Sequence, residues 1–266
     1  MNISIIVATH KKYQMPDDNM YLPLHVGRDG KDDIGYKGDN TGDNISLKNS
    51  SYCELTGLYW AWKNLETDYV GLSHYRRHFS YKKKTKNPFD NVLTNEQMNS
   101  FISSYKVIVP KKRKYYIETL YSHYAHTHYA EHLDITKEII KEIYPEYLDS
   151  CNEVYKRTYG YMFNMMIMEK KFFNDYCDWL FTILFKLEKR MQNKANDLSF
   201  FQGRFYGRVS EILFNVWIDY QIKNGVIKKS EVKELSCIYM EKIKWGKKII
   251  SFIKAKFGHK KYEKSF

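Results

Sequence analysis

The chain has 266 residues, of which 43% are hydrophobic and 17% aromatic, and its formal net charge at pH 7 is +12. This length suffices for one sizeable hydrophobic core, and the sequence contains no run of ~18 apolar residues that would span a membrane. The four cysteines are far apart and form no C-x-x-C pair, which argues against a disulfide framework. Since the N-terminal apolar patch is also too short for a signal peptide, the sequence predicts a cytoplasmic protein.

The positive charge predicts an anionic partner, which could be a nucleic acid, an anionic membrane or an anionic small substrate. Much of this charge lies in two runs, residues 82–86 and 242–264. A nucleic-acid-binding module more often spreads its charge along one face, so the distribution argues against nucleic acid as the partner.

The first predicted strand, residues 3–8, is followed at once by Thr9, His10 and two lysines. A buried strand that ends in small polar and basic residues is typical of nucleotide-binding α/β domains, although a core strand with a solvated turn fits almost as well. Residues 38–46 then combine Asp, Asn and Gly. This composition indicates either a turn held by its own side chains or an ordered loop that closes over a ligand.

A predicted amphipathic helix at 53–65 leads into a short apolar strand at 69–72. The strand is followed by the cluster His74-Tyr75-Arg76-Arg77-His78, in which four of the five side chains are potentially cationic. Ligands of open α/β sheets bind outside the carboxyl ends of the strands. The cluster is therefore a candidate site for an anion such as a diphosphate.

Further along, the pattern predicts a helix at 95–104, a strand at 107–109 and helices at 134–143 and 146–156. Residues 116–132 contain His123, His126, His128 and His132. Their spacing does not place all four rings on one helical face, and neither an H-E-x-x-H motif nor a Cys partner is present. We therefore favour polar contacts to a substrate, or a plain surface helix, over a metal site.

The apolar run at 161–168 predicts a strand with one polar residue, Asn164, which must be hydrogen-bonded if it is buried. It is either a structural residue or a ligand for a sugar hydroxyl. A long amphipathic helix follows at 170–190. Within residues 198–217, four polar side chains share one helix face: Arg204, Arg208, Glu211 and Asn215. On the surface these side chains would form salt bridges with one another. In a cleft they would place a carboxylate beside two guanidinium groups, which is suited to binding a phosphate and a sugar.

From residue 239 onward, isoleucines, a tryptophan and a phenylalanine alternate with many lysines. This pattern of a basic amphipathic helix is typical of a membrane-surface contact or a calmodulin-like target, and packing on the domain is the alternative. We favour the membrane surface.

Seven segments together resemble one bacterial family: IIVATHKKYQMPDD, GDNTGDNIS, CELTGLYWAWKN, GLSHYRRHF, ETLYSHYAHTHY, MFNMMIM and VSEILFNVW. This family carries a domain first catalogued as one of unknown function (DUF4422), is found in capsule, O-antigen and exopolysaccharide gene clusters, and includes galactosyltransferases. The resemblance implies a GT-A-like α/β domain that binds a nucleotide sugar, with a mixed central sheet flanked by helices. We assign this catalytic domain to residues 1–235 and the membrane-associating tail to residues 236–266.

A fainter similarity to retaining GT-A enzymes, such as glycogenin and the lipopolysaccharide galactosyltransferases, implies roles for single residues. In those enzymes a strand ends in Asp-x-Asp, which holds a divalent metal on the donor diphosphate. Here the matching strand ends in Ser73-His74-Tyr75-Arg76, and the sequence contains no Asp-x-Asp. The departure implies that no metal cofactor is needed, and that positive side chains stabilise the departing nucleoside diphosphate.

Two further motifs are similar. Met162-Phe163-Asn164-Met165 resembles a sugar-contacting Phe-Asn-x-Gly strand without its Gly, and Glu211 to Asn215 resembles an acidic-Ile-Leu-x-Asn helix start near the reacting carbon. The resemblance implies that Glu211 is the carboxylate beside the anomeric centre. It would be the base of an inverting reaction or would stabilise an oxocarbenium-like state in a retaining one, and the similarity favours retention.

The resemblance thus implies a glycosyltransferase that moves a hexose, galactose from UDP-galactose, onto a lipid-linked glycan at the inner face of the plasma membrane. Its catalytic residues would be Glu211, His74 and Arg76. The donor nucleotide and diphosphate would contact Ala8, Thr9, His10, Asp39, Thr41, Asp43, Asn44, Arg76 and Arg77. The sugar or acceptor would contact Asn164, Gln202, Arg208, His123, His126 and His128. The rival interpretations are a basic nucleic-acid-binding protein and a non-catalytic membrane-surface scaffold.

Overall fold

A computed structural model describes residues 1–81, 85–195 and 198–241. The strands in these ranges are β1 (Ile3–Thr9), β2 (Tyr21–His25), β3 (Lys37–Gly38), β4 (Tyr69–His74), β5 (Arg77–Ser80), β6 (Val107–Pro110), β7 (Arg113–Lys114), β8 (Tyr159–Gly160), β9 (Met166–Glu169) and β10 (Val232–Tyr239). The α-helices are α1 (Asn49–Tyr52), α2 (Leu55–Asn64), α3 (Asn95–Asn99), α4 (Leu120–Thr127), α5 (Glu131–Ile143), α6 (Leu148–Lys156), α7 (Lys170–Ala195) and α8 (Phe205–Lys223). Short 3-10 turns lie at Ser46–Lys48, Pro88–Asn91, Ile102–Ser104, Pro145–Tyr147, Gln202–Arg204 and Lys229–Glu231.

Eight of the described strands form one mixed sheet. β3, β2, β1 and β4 are parallel neighbours, and β9 lies antiparallel between β4 and β6. β10 is parallel to β6, and β5 pairs antiparallel with β10 while meeting the end of β4. β7 and β8 form a separate two-stranded pair. The predicted fold class, an α/β domain with a mixed central sheet flanked by helices, is confirmed.

The position of β1 in the sheet explains why its sequence is continuously apolar. Ile6 and Ala8 belong to the hydrophobic core on one face of the sheet, while Ile5 and Val7 belong to the core on the other face. A strand that is covered on both faces has no solvent side, so its polar positions disappear. Burial of each large aliphatic side chain contributes about 1.5–3 kcal/mol.

The two faces of the sheet are covered differently. On one face α2, α5, α6, α7 and α8 form a helical layer, in which the Trp62 ring of α2 stacks on Phe181 of α7 with 5.8 Å between ring centroids. On the other face the cover is made of loops, short turns and the short helix α3. There the Tyr21 hydroxyl donates to the carbonyl oxygen of Leu93 at 2.7 Å and ties the edge of β2 to that cover.

The prediction of a single strand at 161–168 is wrong. The structure has β8 and β9 instead, separated by a turn in which Phe163 and Asn164 have positive φ angles of 77° and 52°. The strands β2, β5 and β10 were also not predicted, because each is short or only partly buried. The predicted strands at 3–8, 69–72 and 107–109 and the long helix after residue 170 are confirmed.

The last strand, β10, crosses residue 235, so the first residues assigned to the predicted tail are part of the sheet. Residues 242–266, which carry the rest of the predicted tail, lie outside the described residues. Among the helices that are described, none has both the length and the hydropathy needed to cross a bilayer. The membrane tail stays a prediction.

The centre of the sheet provides a stability test at Gly71 of β4. A Cβ atom there would lie 2.9 Å from Cγ1 of Ile167, 3.0 Å from the carbonyl oxygen of Met166 and 3.1 Å from Cγ1 of Ile5. Because the sheet leaves no room, we expect Gly71→Ala to lower the free energy of unfolding by about 1–3 kcal/mol, measured by urea denaturation.

The matched control is Gly203→Ala, since a Cβ atom on Gly203 meets no heavy atom within 4 Å. Its free energy of unfolding should change by no more than about 0.5 kcal/mol. Equal losses in the two variants would contradict the close packing at β4.

Candidate active site

The carboxyl ends of β1, β2 and β4 open into a cavity of about 670 Å³, here called the strand-end cavity. Five of the residues predicted to bind or act on a donor lie together in its wall: Ala8, Thr9, His10, His74 and Arg76. The other lining residues are Val26, Gly27, Asp29, Lys31, Ser46, Leu47, Asn49, Ser50, Cys53, Glu54, Tyr75, Phe200 and Arg204. This edge of a parallel sheet is where open α/β folds bind their ligands.

The strand pairing brings these residues together. The parallel register of β1 and β4 places Ala8 beside His74. β4 then reverses into β5 through Tyr75 and Arg76, which puts both side chains on the cavity rim. The His10 ring meets the Tyr75 ring edge-on, with 5.4 Å between centroids.

Three permanent cations line the cavity: Lys31, Arg76 and Arg204. The Arg76 side chain is 42% exposed, and its Nη1 lies 3.6 Å from the Glu241 carboxylate. Arg204 is more enclosed, and its Nε donates to Sγ of Cys53 at 3.0 Å. Guanidinium groups match the oxygens of a phosphate, so this arrangement is suited to a diphosphate.

The two histidines of the cavity add hydrogen bonds rather than charge. Burial lowers the pKa of His10, with a further effect from Arg76, and burial also lowers the pKa of His74, with Arg77 acting in the same direction. Both rings are therefore neutral at neutral pH. Nε2 of His74 donates to the carbonyl oxygen of Phe163 at 2.7 Å, which leaves Nδ1 of the neutral ring as an acceptor.

Arg77, predicted to bind the diphosphate, is not among the residues that line the strand-end cavity. As the first residue of β5 it points to the other side of the hairpin. Its guanidinium carbon lies 4.7 Å from the centroid of the Phe163 ring and 5.5 Å from that of Tyr239. Arg77 thus packs behind the turn at Phe163.

A carboxylate of the cavity wall comes from Glu54, just before α2. The Asn164 amide donates to Oε1 of Glu54 at 2.7 Å and to the carbonyl oxygen of Gly207 at 2.8 Å. Oδ1 of Asn164 accepts from the Ser210 hydroxyl at 2.8 Å. Asn164, predicted to bind the sugar, is therefore buried with both amide N–H groups used inside the protein, and it reaches the cavity through Glu54.

Glu211, predicted as the carboxylate by the anomeric centre, is half-buried and does not line this cavity. Its Oε1 accepts from the backbone N–H of Phe163 at 3.1 Å. Burial raises the pKa of Glu211 to about 7, and the nearby negative charge of Glu54 adds to the rise. Glu211 is therefore half protonated near neutral pH. Both glutamates bond to the Phe163–Asn164 turn, Glu211 to the N–H of Phe163 and Glu54 to the amide of Asn164.

Asp39, predicted to contact the donor, is completely buried and has four hydrogen-bond donors. Its carboxylate accepts from the backbone N–H groups of Gly27 at 2.8 Å and Arg28 at 3.0 Å, from the Thr56 hydroxyl at 2.6 Å and from the Ser46 hydroxyl. These bonds join the end of β2, the turn at Ser46 and helix α2. Asp39 therefore holds the cavity wall together instead of facing the cavity.

The other polar residues of the predicted donor loop have similar internal roles. The Thr41 hydroxyl accepts from Nε1 of Trp60 at 3.0 Å, and Asp43 accepts from the Tyr59 hydroxyl at 3.2 Å. Oδ1 of Asn44 accepts from the backbone N–H of Ser46 at 3.1 Å. None of these three side chains lines the strand-end cavity.

The histidine segment also bonds within the protein. Nδ1 of His123 and Nδ1 of His126 each lie 2.7 Å from a different oxygen of the buried Glu118 carboxylate. His128 pairs with Gln202 at 2.9 Å. These predicted sugar or acceptor residues lie outside the lining of the strand-end cavity.

Arg208, the remaining predicted contact, supports a loop. Its Nη2 donates to the carbonyl oxygen of Phe201 at 2.7 Å, and its guanidinium lies 4.1 Å from the centroid of the Phe201 ring. The neighbouring Phe200 belongs to the cavity wall. Arg208 therefore acts on the cavity through this loop.

The predicted site residues did not include Glu54, Lys31 or Arg204, although Arg204 was placed on a polar helix face suited to phosphate handling and Glu54 lies near the start of a predicted helix. Glu54 lies at the start of an amphipathic helix that follows the donor loop, and Arg204 lies four residues before the selected Arg208. A signal for both was their position at a helix start, since Glu54 and Arg204 are the N-cap residues of α2 and α8. No comparable signal marked Lys31, which lies in an irregular segment.

Within residues 1–81, 85–195 and 198–241, no three His, Cys, Asp or Glu side chains are close enough to bind a metal ion together. Whether the protein works without a metal stays a prediction, which the chelator experiment below tests.

Two comparisons with known proteins give matches. A family model described as a domain of unknown function, DUF4422, matches residues 4–223. A solved apo structure of the WbbM bifunctional glycosyltransferase has a TM-score of 0.82 and 32% identity, over 91% of this chain and 46% of that chain. The chain thus spans about half the length of that protein. A comparison with curated proteins gives no match.

The raised pKa of Glu211 predicts a pH-dependent stability. Its pKa is about 7 in the folded protein against an ordinary value of 4.5. The protonated Glu211 carboxyl group therefore contributes to the free energy of unfolding in full below pH 4.5, and this contribution is lost as the pH rises through 7. We expect the wild-type protein to lose about 1–3 kcal/mol more stability between pH 5 and pH 8 than Glu211→Gln, measured by urea denaturation.

Glu146→Gln serves as the control, because Glu146 is exposed to solvent. Its pH profile should follow that of the wild type. If Glu211→Gln also keeps the wild-type pH profile, the carboxyl group is not perturbed by the fold.

Proposed function

We propose, from the premise that the chain belongs to the DUF4422 family, that it is a nucleotide-sugar-dependent glycosyltransferase. The observation that carries the proposal is the strand-end cavity, which is lined by the cations Lys31, Arg76 and Arg204 together with Glu54. Its volume of about 670 Å³ is within the range of small-molecule sites. The similarity of the fold to a glycosyltransferase structure supports the same reaction class.

The finer proposal is that the donor is UDP-galactose and that the hexose passes to a lipid-linked glycan in capsule, O-antigen or exopolysaccharide synthesis. It rests on the seven sequence segments that resemble the family. The base and ribose would lie near Ala8, Thr9 and His10, where the first strand ends. The diphosphate would lie on the cations of the wall, and the hexose near Glu54 and His74.

The cations would act on the leaving group. As the bond between the anomeric carbon and the diphosphate lengthens, negative charge grows on the diphosphate oxygens. Arg76 and Arg204 would stabilise that charge more strongly than they stabilise the bound donor, which lowers the barrier. We propose that these side chains do so without a divalent metal.

In this proposal Glu54 has the position by the sugar that the resemblance implied for Glu211. A carboxylate beside the anomeric carbon would stabilise the positive charge of an oxocarbenium-like state, consistent with the proposed retention of configuration. Glu211 would be a positioning residue, because its bond to the Phe163 N–H fixes the turn that holds Asn164 against Glu54.

We also propose that the basic tail binds the inner face of the plasma membrane, where a lipid-linked acceptor would be found. The support is the alternation of lysines with apolar residues in the sequence from 242 onward.

The donor assignment is tested with UDP and uridine in thermal-shift titrations. We expect UDP to raise the melting temperature of the wild type, and Arg76→Ala to weaken UDP binding roughly 10- to 100-fold, as for the loss of a charged hydrogen bond. Uridine binding should be unchanged, because uridine lacks the diphosphate. The matched control is Arg190→Ala, which removes one positive charge from a surface ion pair between Arg190 of α7 and Glu142 of α5.

Absence of any UDP stabilisation would overturn the donor assignment, and an equal loss of UDP and uridine binding in Arg76→Ala would overturn the diphosphate role. The same titration with EDTA tests the metal-free proposal. UDP binding should persist in EDTA, and a loss that Mn²⁺ restores would contradict it.

The tail is tested with a chain that ends after Glu241, which keeps all of β10. This variant should no longer sediment with phosphatidylglycerol vesicles, while its thermal shift with UDP equals that of the full chain. Unchanged vesicle binding would assign membrane contact to the domain instead of the tail.

A further inference from the structure

A second cavity, of about 520 Å³, lies next to the strand-end cavity and is here called the side cavity. The two share Ser50 and Phe200 as lining residues. The rest of its wall is formed by Lys48, Ser51, Phe185, Glu188, Lys189, Gln192, Leu198, Ser199, Gly203 and Tyr206. The side cavity is thus adjacent to the proposed donor site.

Helix α1 and the 3-10 turn Gln202–Arg204 contribute residues to both cavities. The consecutive residues Gly203 and Arg204 line different cavities: Gly203 the side cavity and Arg204 the strand-end cavity. Phe200, which belongs to both, is 76% exposed. An aromatic ring left exposed at the junction of two cavities is suited to contact a ligand that extends from one to the other.

The loop that carries Phe200 is held from behind. Arg208 binds the carbonyl oxygen and the ring of Phe201, and the Gln202 N–H donates to Oγ of Ser199 at 3.2 Å. Nε2 of Gln202 also donates to the carbonyl oxygen of Thr127 at 3.3 Å. Because these bonds fix the loop before any ligand arrives, less entropy is lost on binding.

The chemistry of the side cavity differs from that of the strand-end cavity. Two of its charged groups neutralise each other, since Nζ of Lys48 lies 2.6 Å from Oε1 of Glu188. Most of the other polar groups are hydroxyls and an amide, from Ser50, Ser51, Ser199 and Gln192, and three aromatic rings accompany them. Hydroxyl and amide groups can both donate and accept, which matches sugar hydroxyls, while aromatic rings pack on the apolar C–H face of a sugar ring.

We propose that the side cavity binds the acceptor glycan, with its terminal sugar placed across Phe200 toward the donor. This inference rests on the proposed function and adds the place and the chemical class of the second substrate. In the transfer, the acceptor oxygen forms a bond to the anomeric carbon while the bond from that carbon to the diphosphate breaks. The diphosphate keeps the electron pair and takes the proton of the acceptor hydroxyl.

Gly203 provides a test that leaves the strand-end cavity intact. A side chain there enters open space, because its Cβ meets no heavy atom within 4 Å. Gly203→Leu should fill part of the side cavity, whereas Gly203→Ala adds only a methyl group. A second pair is Phe200→Ala, which removes the ring, and Phe200→Tyr, which keeps it.

The probes are the methyl glycosides of galactose, glucose, mannose and N-acetylglucosamine, whose binding to the UDP-bound full chain is measured by saturation-transfer NMR. We expect the wild type, Gly203→Ala and Phe200→Tyr to bind at least one of them. Gly203→Leu and Phe200→Ala should weaken that binding at least tenfold. The thermal shift of Gly203→Leu with UDP should equal that of the wild type, which shows that the variant is folded.

Two results would overturn the inference while UDP still binds: no methyl glycoside binds the wild type, or Gly203→Leu binds as well as the wild type. A third result would also overturn the inference: the wild type binds 1-octanol but no glycoside, and Gly203→Leu abolishes the 1-octanol binding. That result would assign the side cavity to a lipid chain. If UDP itself fails to bind the wild type, the proposed function fails first. The two failures are therefore distinguishable.

Discussion

The left-handed turn at Phe163 and Asn164 is the constraint on which the candidate site depends. Each non-glycine residue in this conformation costs about 1–3 kcal/mol, so two in succession need support from elsewhere. Glu211 and His74 bind the two backbone groups of Phe163, and Asn164 is bonded to Glu54, Gly207 and Ser210. These partners come from β4, from the start of α2 and from α8, so the turn fixes three elements relative to one another. The carboxylate of Glu54 is placed in the strand-end cavity by this arrangement.

The elements that could be predicted from the sequence are those whose signal is local. β1 and β4 are continuous apolar runs, and α7 has an amphipathic period. The residues within each of these segments were therefore sufficient to predict it. The run at 161–168 looked equally clear, yet it is broken. The groups that stabilise its left-handed turn, Glu211 and His74, lie 48 and 89 residues away along the chain. No pattern within eight residues contains that information.

The site shows a similar division. Five predicted residues at or just after the ends of β1 and β4 line one cavity, because the carboxyl ends of parallel strands meet at one edge of the sheet. The polar loops and helices were harder to interpret, since the same residue types bind ligands and hold loops. Asp39 and Arg208 lie behind the cavity walls, and the difference is made by their partners in space. A buried carboxylate with four donors, such as Asp39, is bound by its own fold before any substrate is present.

The position of Glu241 has a consequence for how a membrane-bound substrate would be found. Its carboxylate lies near Arg76 and Lys11, and the N–H of Met240 donates to the carbonyl oxygen of Arg76 at 3.0 Å, so Glu241 lies at the rim of the strand-end cavity. With the tail on a membrane surface, as proposed, that rim is tethered within a few residues' length of the lipid. Tethering replaces a search through the whole solution volume by one in a thin layer, which raises the effective concentration of a lipid-linked acceptor without any further contact. A short tether would therefore contribute to the rate of encounter, while the cavities decide which sugar reacts.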